Sequence, residues 1–516
     1  MRIAQALGLG LGAAGAMSLG TALWAQEAPI SSIDWLSDSL ATPVVAVAPS
    51  NEPPVSSSAG IETVTVTPLG APSPDGIGLI GRREAGFPGN IWGSSELDRL
   101  RRLIAELPVE PMPAQQDLIR LLLLTELDPP IGAGPEGLLF QARIDALLAR
   151  GAVDEAAEML KRTGSKAPAI FQRSFDVALL QGHEDAGCQQ LRATPGISPS
   201  YSTRIFCLAR TGEWQTAALT LDTAKALGHL SDEEDALLAR FLDPELADGA
   251  EPLPAPERPS PLVYRMLEAI GEPAPTTRLP LAFAHADLRD TAGWKARIGA
   301  AERLARVGSL LPEKLMEIWS EQKPAASGGV WDRVDVMQRL DFALEEGNAD
   351  AVARHLPTAW TQAESAHLEL AFANLFGPRL EQADLSGESA VLAWRIGLLT
   401  EAYERLALTE TAPTGTMDTF LAALARGLPE DTTAPDSLAE AITEGFTTTE
   451  VPESLARPAG EGRIGEAILL SMDVLENGAE GDLDDVTNAI AFLRSVRLED
   501  VARRYALQLM LLDRRG

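Results

Sequence analysis

From Ser94 onward, apolar residues recur every three to four positions, the period of a helix with one buried face. The run "ELDRLRRLIAEL" starts the pattern, with Ser94 and Ser95 as candidate N-caps and Ser95 and Asp98 at capping-box spacing. Pro113 opens "AQQDLIRLLLLTEL", and Gly134-Pro135 precede "EGLLFQARIDALLAR". Ser231 and Glu234 form a second capping box. Later runs include "PLVYRMLEAI", "GWKARIGAAERLARVG" and "VDVMQRLDFALEEG". "DLDDVTNAIAFLRSV" and "LEDVARRYALQLMLL" predict two closing helices, with Arg503 and Arg504 capping the end of the array. Upstream the period is lost. Nine of the 36 prolines fall between 26 and 93, and such a stretch buries too little apolar surface to offset its ordering entropy. A flexible segment is expected there, with two islands. "SIDWLSDSL" sets Ile33, Leu36 and Leu40 on one helical face beside Trp35, a candidate partner-docking motif. "IETVTVTP" alternates as a strand does. Each island either docks a partner or folds back onto the protein body.

A second pattern lies over the helices. Gly151, Gly182 and Gly212 each follow a leucine by three or four residues, and Ala156, Gly187 and Ala217 come five residues after them. The glycines recur 31 and 30 residues apart, with related endings at Gly308, Gly347 and Gly427. Glycine accepts the left-handed conformation that closes a helix, and a small residue on the next helix permits close approach. A hairpin of this kind leaves an apolar face that a neighbouring hairpin covers. These positions resemble the tetratricopeptide-type helical repeats over about residues 135–230, although the large aromatic of the first helix and the late proline of that family are missing. The resemblance implies an α-solenoid with a concave binding face.

The expected fold is therefore all-α: a helical-hairpin solenoid in two lobes, 94–242 and 262–516. The Pro-rich, acidic run 243–261 is the expected linker between them. Residues 1–25 read as a signal peptide, with Arg2 ahead of an uncharged run and cleavage after Leu23-Trp24-Ala25. Within it Gly10, Gly12 and Gly15 match GxGxxG, but the strand and βαβ unit that dinucleotide binding needs are absent. No membrane span is expected after cleavage. The predicted location is the periplasm or the extracellular space. Cys188 and Cys207 are the only cysteines, and in an oxidising compartment an isolated pair predicts one structural disulfide.

Charge narrows the partners. With 74 acidic against 43 basic residues the net charge is −31, which repels phosphate backbones and excludes nucleic acid as an expected partner. The five histidines show no ligand spacing, and no nucleophile elbow, P-loop or other catalytic motif occurs in the mature chain. No metal, cofactor or catalytic residue is predicted. Glu345-Glu346 and Asp484-Asp485 read as solvated helix faces. Trp214, Trp294, Trp319, Trp360 and Trp394 read as core residues. "PAASGGVWDRVD" reads as a loop running into a helix anchored by Trp331, with stacking on a sugar or peptide as the alternative. The helical layout is also similar to the superhelical domains of lytic transglycosylases, but their Glu-Ser and Gly-Leu-Met-Gln motifs are not matched. "AESAHLEL" only juxtaposes Glu364 and Ser365. The expectation is a non-catalytic scaffold that binds a protein or peptide of the cell envelope, or alternatively peptidoglycan. An aromatic groove would favour glycan, and a carboxylate-rich one a basic polypeptide.

Overall fold

The computed structural model describes residues 73–512, apart from 165–166, 199, 248–250, 255, 257 and 410–412. The leader 1–25 and the docking candidates Ile33, Trp35, Leu36 and Leu40 lie outside the described residues. Among the described residues every regular element is helical, save one isolated bridge between Ile80 and Thr125. The chain starts with α1 (Arg82–Ala85), α2 (Leu97–Ala105) and α3 (Pro113–Leu124). Three hairpins follow: α4 (Leu138–Ala149) with α5 (Val153–Thr163), α6 (Pro168–Gln181) with α7 (Glu184–Ala193), and α8 (Tyr201–Arg210) with α9 (Trp214–Ala226). Then come α10 (Asp232–Leu242), α11 (Pro261–Ala269), α12 (Ala284–Asp287), α13 (Trp294–Arg306) and α14 (Pro312–Trp319). Next are α15 (Val330–Glu345), α16 (Ala349–Glu364), α17 (Glu369–Leu380), α18 (Gly387–Gly397), α19 (Tyr403–Ala407) and α20 (Thr416–Ala425). The last are α21 (Ser437–Thr447), α22 (Glu453–Gly460), α23 (Ile464–Glu480), α24 (Leu483–Ser495) and α25 (Glu499–Leu511).

The hairpins form where the glycines fall. Gly182 ends α6 at φ +77°, and the His183 amide bonds back to the Ala178 carbonyl at 2.7 Å. Five residues on, Gly187 lies against Phe175 of α6, where a Cβ would come within 2.6 Å of the ring. The expected close approach is thus made by glycine itself. Cys188 of α7 and Cys207 of α8 form the predicted disulfide, with Cα atoms 5.0 Å apart.

Three expectations are corrected. The first concerns residues 73–93, which belong to the fold and not to a flexible segment. Asp75 is fully buried, and its carboxylate accepts from the Phe140 amide at 2.7 Å, capping α4 from 65 residues away. Leu79 and Ile80 donate to the Leu124 carbonyl at 2.7 and 3.0 Å. Gly78 passes so close that a Cβ would meet the backbone of Thr125 at 2.5 Å. Further on, Trp92 is buried against Gly465 of α23, which has no side chain to fill the slot. The prolines disguise this strap because its order comes from long-range partners and not from local periodicity.

The second correction concerns helix ends. Glu96 occupies the N-cap position of α2 without a side-chain bond, and the Ser95 hydroxyl donates instead to Glu466 of α23 at 2.7 Å. Glu466 also accepts from Arg99 and Arg463, and against the cost of burial these donors hold its carboxyl below the usual range. At the other terminus, α25 is no exposed end-cap. It packs on α3, where Gln508 accepts from the Ala114 amide at 2.7 Å and Arg504 pairs with Asp117 at 2.7 Å. The Ser231–Glu234 capping box forms as expected.

The third correction concerns the two lobes. The described residues, from 73 to 512, belong to one compact unit. After the 243–261 run, α11 returns to α6 and α10, and its Leu262, Met266 and Leu267 share a core with Phe171, Phe175 and Cys188. Arg240 of α10 holds the run in place by donating to the Glu251 carbonyl (2.8 Å) and to Glu272 (3.0 Å). The main core joins residues 85–180 to residues 264–512.

Arg143 of α4 is 1% exposed and donates to the carbonyls of Asp75, Ile77, Leu123 and Thr125 at 2.8–3.1 Å. Arg143→Met strands those carbonyls and the buried Asp75 carboxylate, so it is expected to cost about 3–5 kcal/mol in urea denaturation. A loss under about 1 kcal/mol would contradict its role. On α6, burial pushes the Asp176 carboxyl up to about 6, against a 3.0 Å bond from Gln172. Unfolded aspartate ionises near 3.8, so the folded state binds more protons between the two values and stability falls as pH rises through that window. Asp176→Asn is expected to stabilise by about 1–2 kcal/mol at pH 7 and to give no gain at pH 3. An equal effect at both pH values would contradict the assignment.

Candidate binding groove

A cavity of about 1170 Å³ opens between α11, α12, α13 and the start of α15. Two tryptophans set its character. Trp294 occupies the first turn of α13, and its indole N–H donates to the Ile318 carbonyl at 2.8 Å, which fixes the ring. Trp331 enters in the first turn of α15, after Gly328 and Gly329 at φ +96° and +58°. The two rings lie 5.1 Å apart between centroids, tilted by 43°. Trp331 is half-buried, and its indole N–H meets no acceptor among the described residues. Pro273, Pro275 and several Ala, Gly and Thr residues complete the wall, so backbone lies close to the space a ligand would take.

The charges in this groove divide into held and free. Asp287 accepts from the Thr276 hydroxyl and sits within the field of Arg303, whose guanidinium donates to the Thr276 carbonyl at 3.1 Å. Glu268 is gripped by Arg265 and by Arg289 at 2.7 Å. Burial, with Asp287 and Glu268 nearby, pushes the Tyr264 hydroxyl up to about 12, so it stays neutral. Lys295 and Lys323 line the same groove, are exposed, and make no ion pair among the described residues. The chain has six lysines. Lys161, Lys225 and Lys314 are each paired with a carboxylate, and Lys166 lies outside the described residues. Gly293 offers no side chain to cap α13, so the first amides of that helix also open beside Lys295.

A second cavity, about 620 Å³, lies where α3 meets α25 and is lined by Asp117, Glu401, Asp500, Arg120 and Arg504. Most of its charges are already engaged. Arg504 holds Asp117, Arg120 holds Glu155 at 2.6 Å, and Tyr403 donates to Asp500 at 2.6 Å. That cavity is a joint between the first and last helices more than an open binding face. Among the described residues no group of His, Cys, Asp and Glu is placed to hold a metal ion, and no helix is long and apolar enough to cross a membrane.

Of the residues singled out in the sequence, Cys188 and Cys207 are brought together, while the docking candidates around Trp35 lie outside the described residues. Trp319, Trp360 and Trp394 are core residues as expected, whereas Trp214 is 50% exposed and Trp294 walls the groove. Helical period alone cannot separate a core tryptophan from one at a helix mouth. A usable signal existed for the lysines. Lys161 and Lys314 have a glutamate three residues away, whereas Lys295 has no acid within four and Lys323 has only Glu321, two residues before it, a spacing that does not bring helical side chains together. No protein-family model, curated protein or solved structure matches the chain.

The groove-wall assignment is separable from a core role by stability. Trp331→Ala is expected to cost less than about 1.5 kcal/mol in urea denaturation, against about 3–5 kcal/mol for the fully buried Trp319→Ala. Equal losses would put Trp331 in the core and contradict the assignment.

Proposed function

We propose that this chain is an exported, non-catalytic helical-hairpin scaffold of the cell envelope, and that it binds glycan of the cell wall in the Trp294–Trp331 groove. The observation that carries this reading is the tilted tryptophan pair at an open cavity, one indole fixed and the other presenting an unused N–H. Flat apolar ring faces suit the C–H faces of pyranose sugars, and a spare donor suits their hydroxyls. A location in the periplasm or outside the cell is part of this reading, supported by the leader-like 1–25 run and compatible with the Cys188–Cys207 disulfide. A second reading, an adaptor for a basic envelope protein or peptide, is supported by the net charge of −31 and the carboxylates of the α3–α25 cavity. It is weaker because those carboxylates are largely engaged within the chain.

Co-sedimentation of the purified chain with isolated cell wall tests the choice. The wild-type protein is expected to pellet with the wall, and Trp294→Ala/Trp331→Ala to remain in the supernatant by at least about tenfold, the effect of losing about 1.4 kcal/mol of binding. Undiminished pelleting of the double variant, or failure of the wild type to pellet, overturns the glycan reading. Crosslinking in cells to one envelope protein through the α3–α25 face would favour the adaptor.

A further inference from the structure

Resting on the glycan reading, the geometry points to a narrower ligand: we infer that the Trp294–Trp331 groove takes a glycan whose sugar rings carry carboxylates. The argument is one of charge in an unlikely place. The protein carries 74 acidic residues, and its summed field repels anions. Against that background, every described lysine outside this groove is paired with a carboxylate, and both unpaired lysines, Lys295 and Lys323, stand in the same groove. Its two acids do not cancel them. Asp287 is engaged by Thr276 beside Arg303, and Glu268 is held by Arg265 and Arg289. An unpaired ammonium at the rim of an aromatic-walled cavity is charge-complementary to an anion borne on a ring that stacks. The Trp331 N–H, which meets no acceptor among the described residues, and the start of α13, uncapped by any side chain, add donors and no acceptors, which suits carboxylate over amine or guanidinium. A neutral glycan would leave both ammonium groups unused, and an acidic peptide would leave the tryptophan faces without a ring to stack on. The volume, about 1170 Å³, accommodates several sugar rings.

Calorimetric titration of the purified full chain with tetragalacturonate and with its methyl ester tests the inference, because esterification removes the charge and keeps the rings. Chitotetraose and hexaglutamate serve as the neutral-sugar and acidic-peptide probes. Tetragalacturonate is expected to bind at least tenfold more tightly than its ester, with affinity falling as salt rises. Lys295→Met/Lys323→Met is expected to abolish that difference, and Trp331→Ala to weaken binding of both acid and ester. Both lysines are exposed, so the double variant is expected to keep the wild-type denaturation curve. Equal binding of acid and ester, or preference for chitotetraose, overturns the charge inference and leaves the glycan reading standing. Binding of hexaglutamate alone, or of none of the four probes, overturns both.

Discussion

A single guanidinium, that of Arg143, holds the described fold at its most demanding point. It lies fully inside the protein, where burial lowers its pKa to about 10, and it remains charged at neutral pH. A cation in such a place persists only when its donors are satisfied. Four carbonyls do this, two at the end of α3 and two in the strap, with the Asp75 carboxylate close enough to supply counter-charge. The carbonyls of Leu123 and Thr125 lie where α3 ends and have no later turn to bond. Arg143 therefore satisfies one helix end, and Asp75 caps the beginning of the next. Remove the strap and both helices have buried polar groups without partners.

Order propagates from there in both directions. Downstream along the strap, Trp92 fills the slot over Gly465, and Ser95 and Arg99 converge on Glu466, so the first helices rest on the last. Along α4 the other way, the chain turns at Gly151, whose carbonyl accepts from His285 Nε2 at 2.7 Å. Burial lowers the His285 pKa, which favours the neutral ring with its proton on Nε2. His285 sits on α12, two residues before Asp287, and α12 forms one wall of the tryptophan groove. A Cβ on Gly151 would come within 2.6 Å of Leu304 on α13, the helix that carries Trp294 and Lys295. The proposed binding face thus stands on helices whose placement runs back to Arg143. Rigid placement matters for a groove that recognises rings, because stacking falls off within an ångström or so.

The local features of this fold were legible in the sequence. Gly151, Gly182 and Gly212 mark real helix ends, Gly187 five positions after the second marks a real close contact, Ala156 and Ala217 are fully buried, and the two cysteines meet. Each of these depends on chemistry within about thirty residues. What the pattern missed depends on partners that leave no periodic signal, 65 residues away for Asp75 and 371 for Ser95. Asp75 and Trp92 sit in a stretch rich in proline and without a period, and their order comes from α4 and α23. Ser95 looks like a cap and is instead a ligand of Glu466. Proline and acid between 243 and 261 signal a linker, but Arg240 and Glu272 turn that run into a clasp. The groove is intermediate. Trp331 was visible as a candidate stacking residue, while Trp294 read as core because helical spacing does not report which end of a helix is open.

The claim on which the rest stands is that residues 73–92 are structural and not a flexible extension. Hydrogen exchange of the native protein, read at the Leu79 and Ile80 amides that donate to the Leu124 carbonyl, tests it most directly. The account predicts protection comparable to the amides in the middle of α4. Exchange at the rate of an unstructured peptide, with α4 still protected, would contradict it.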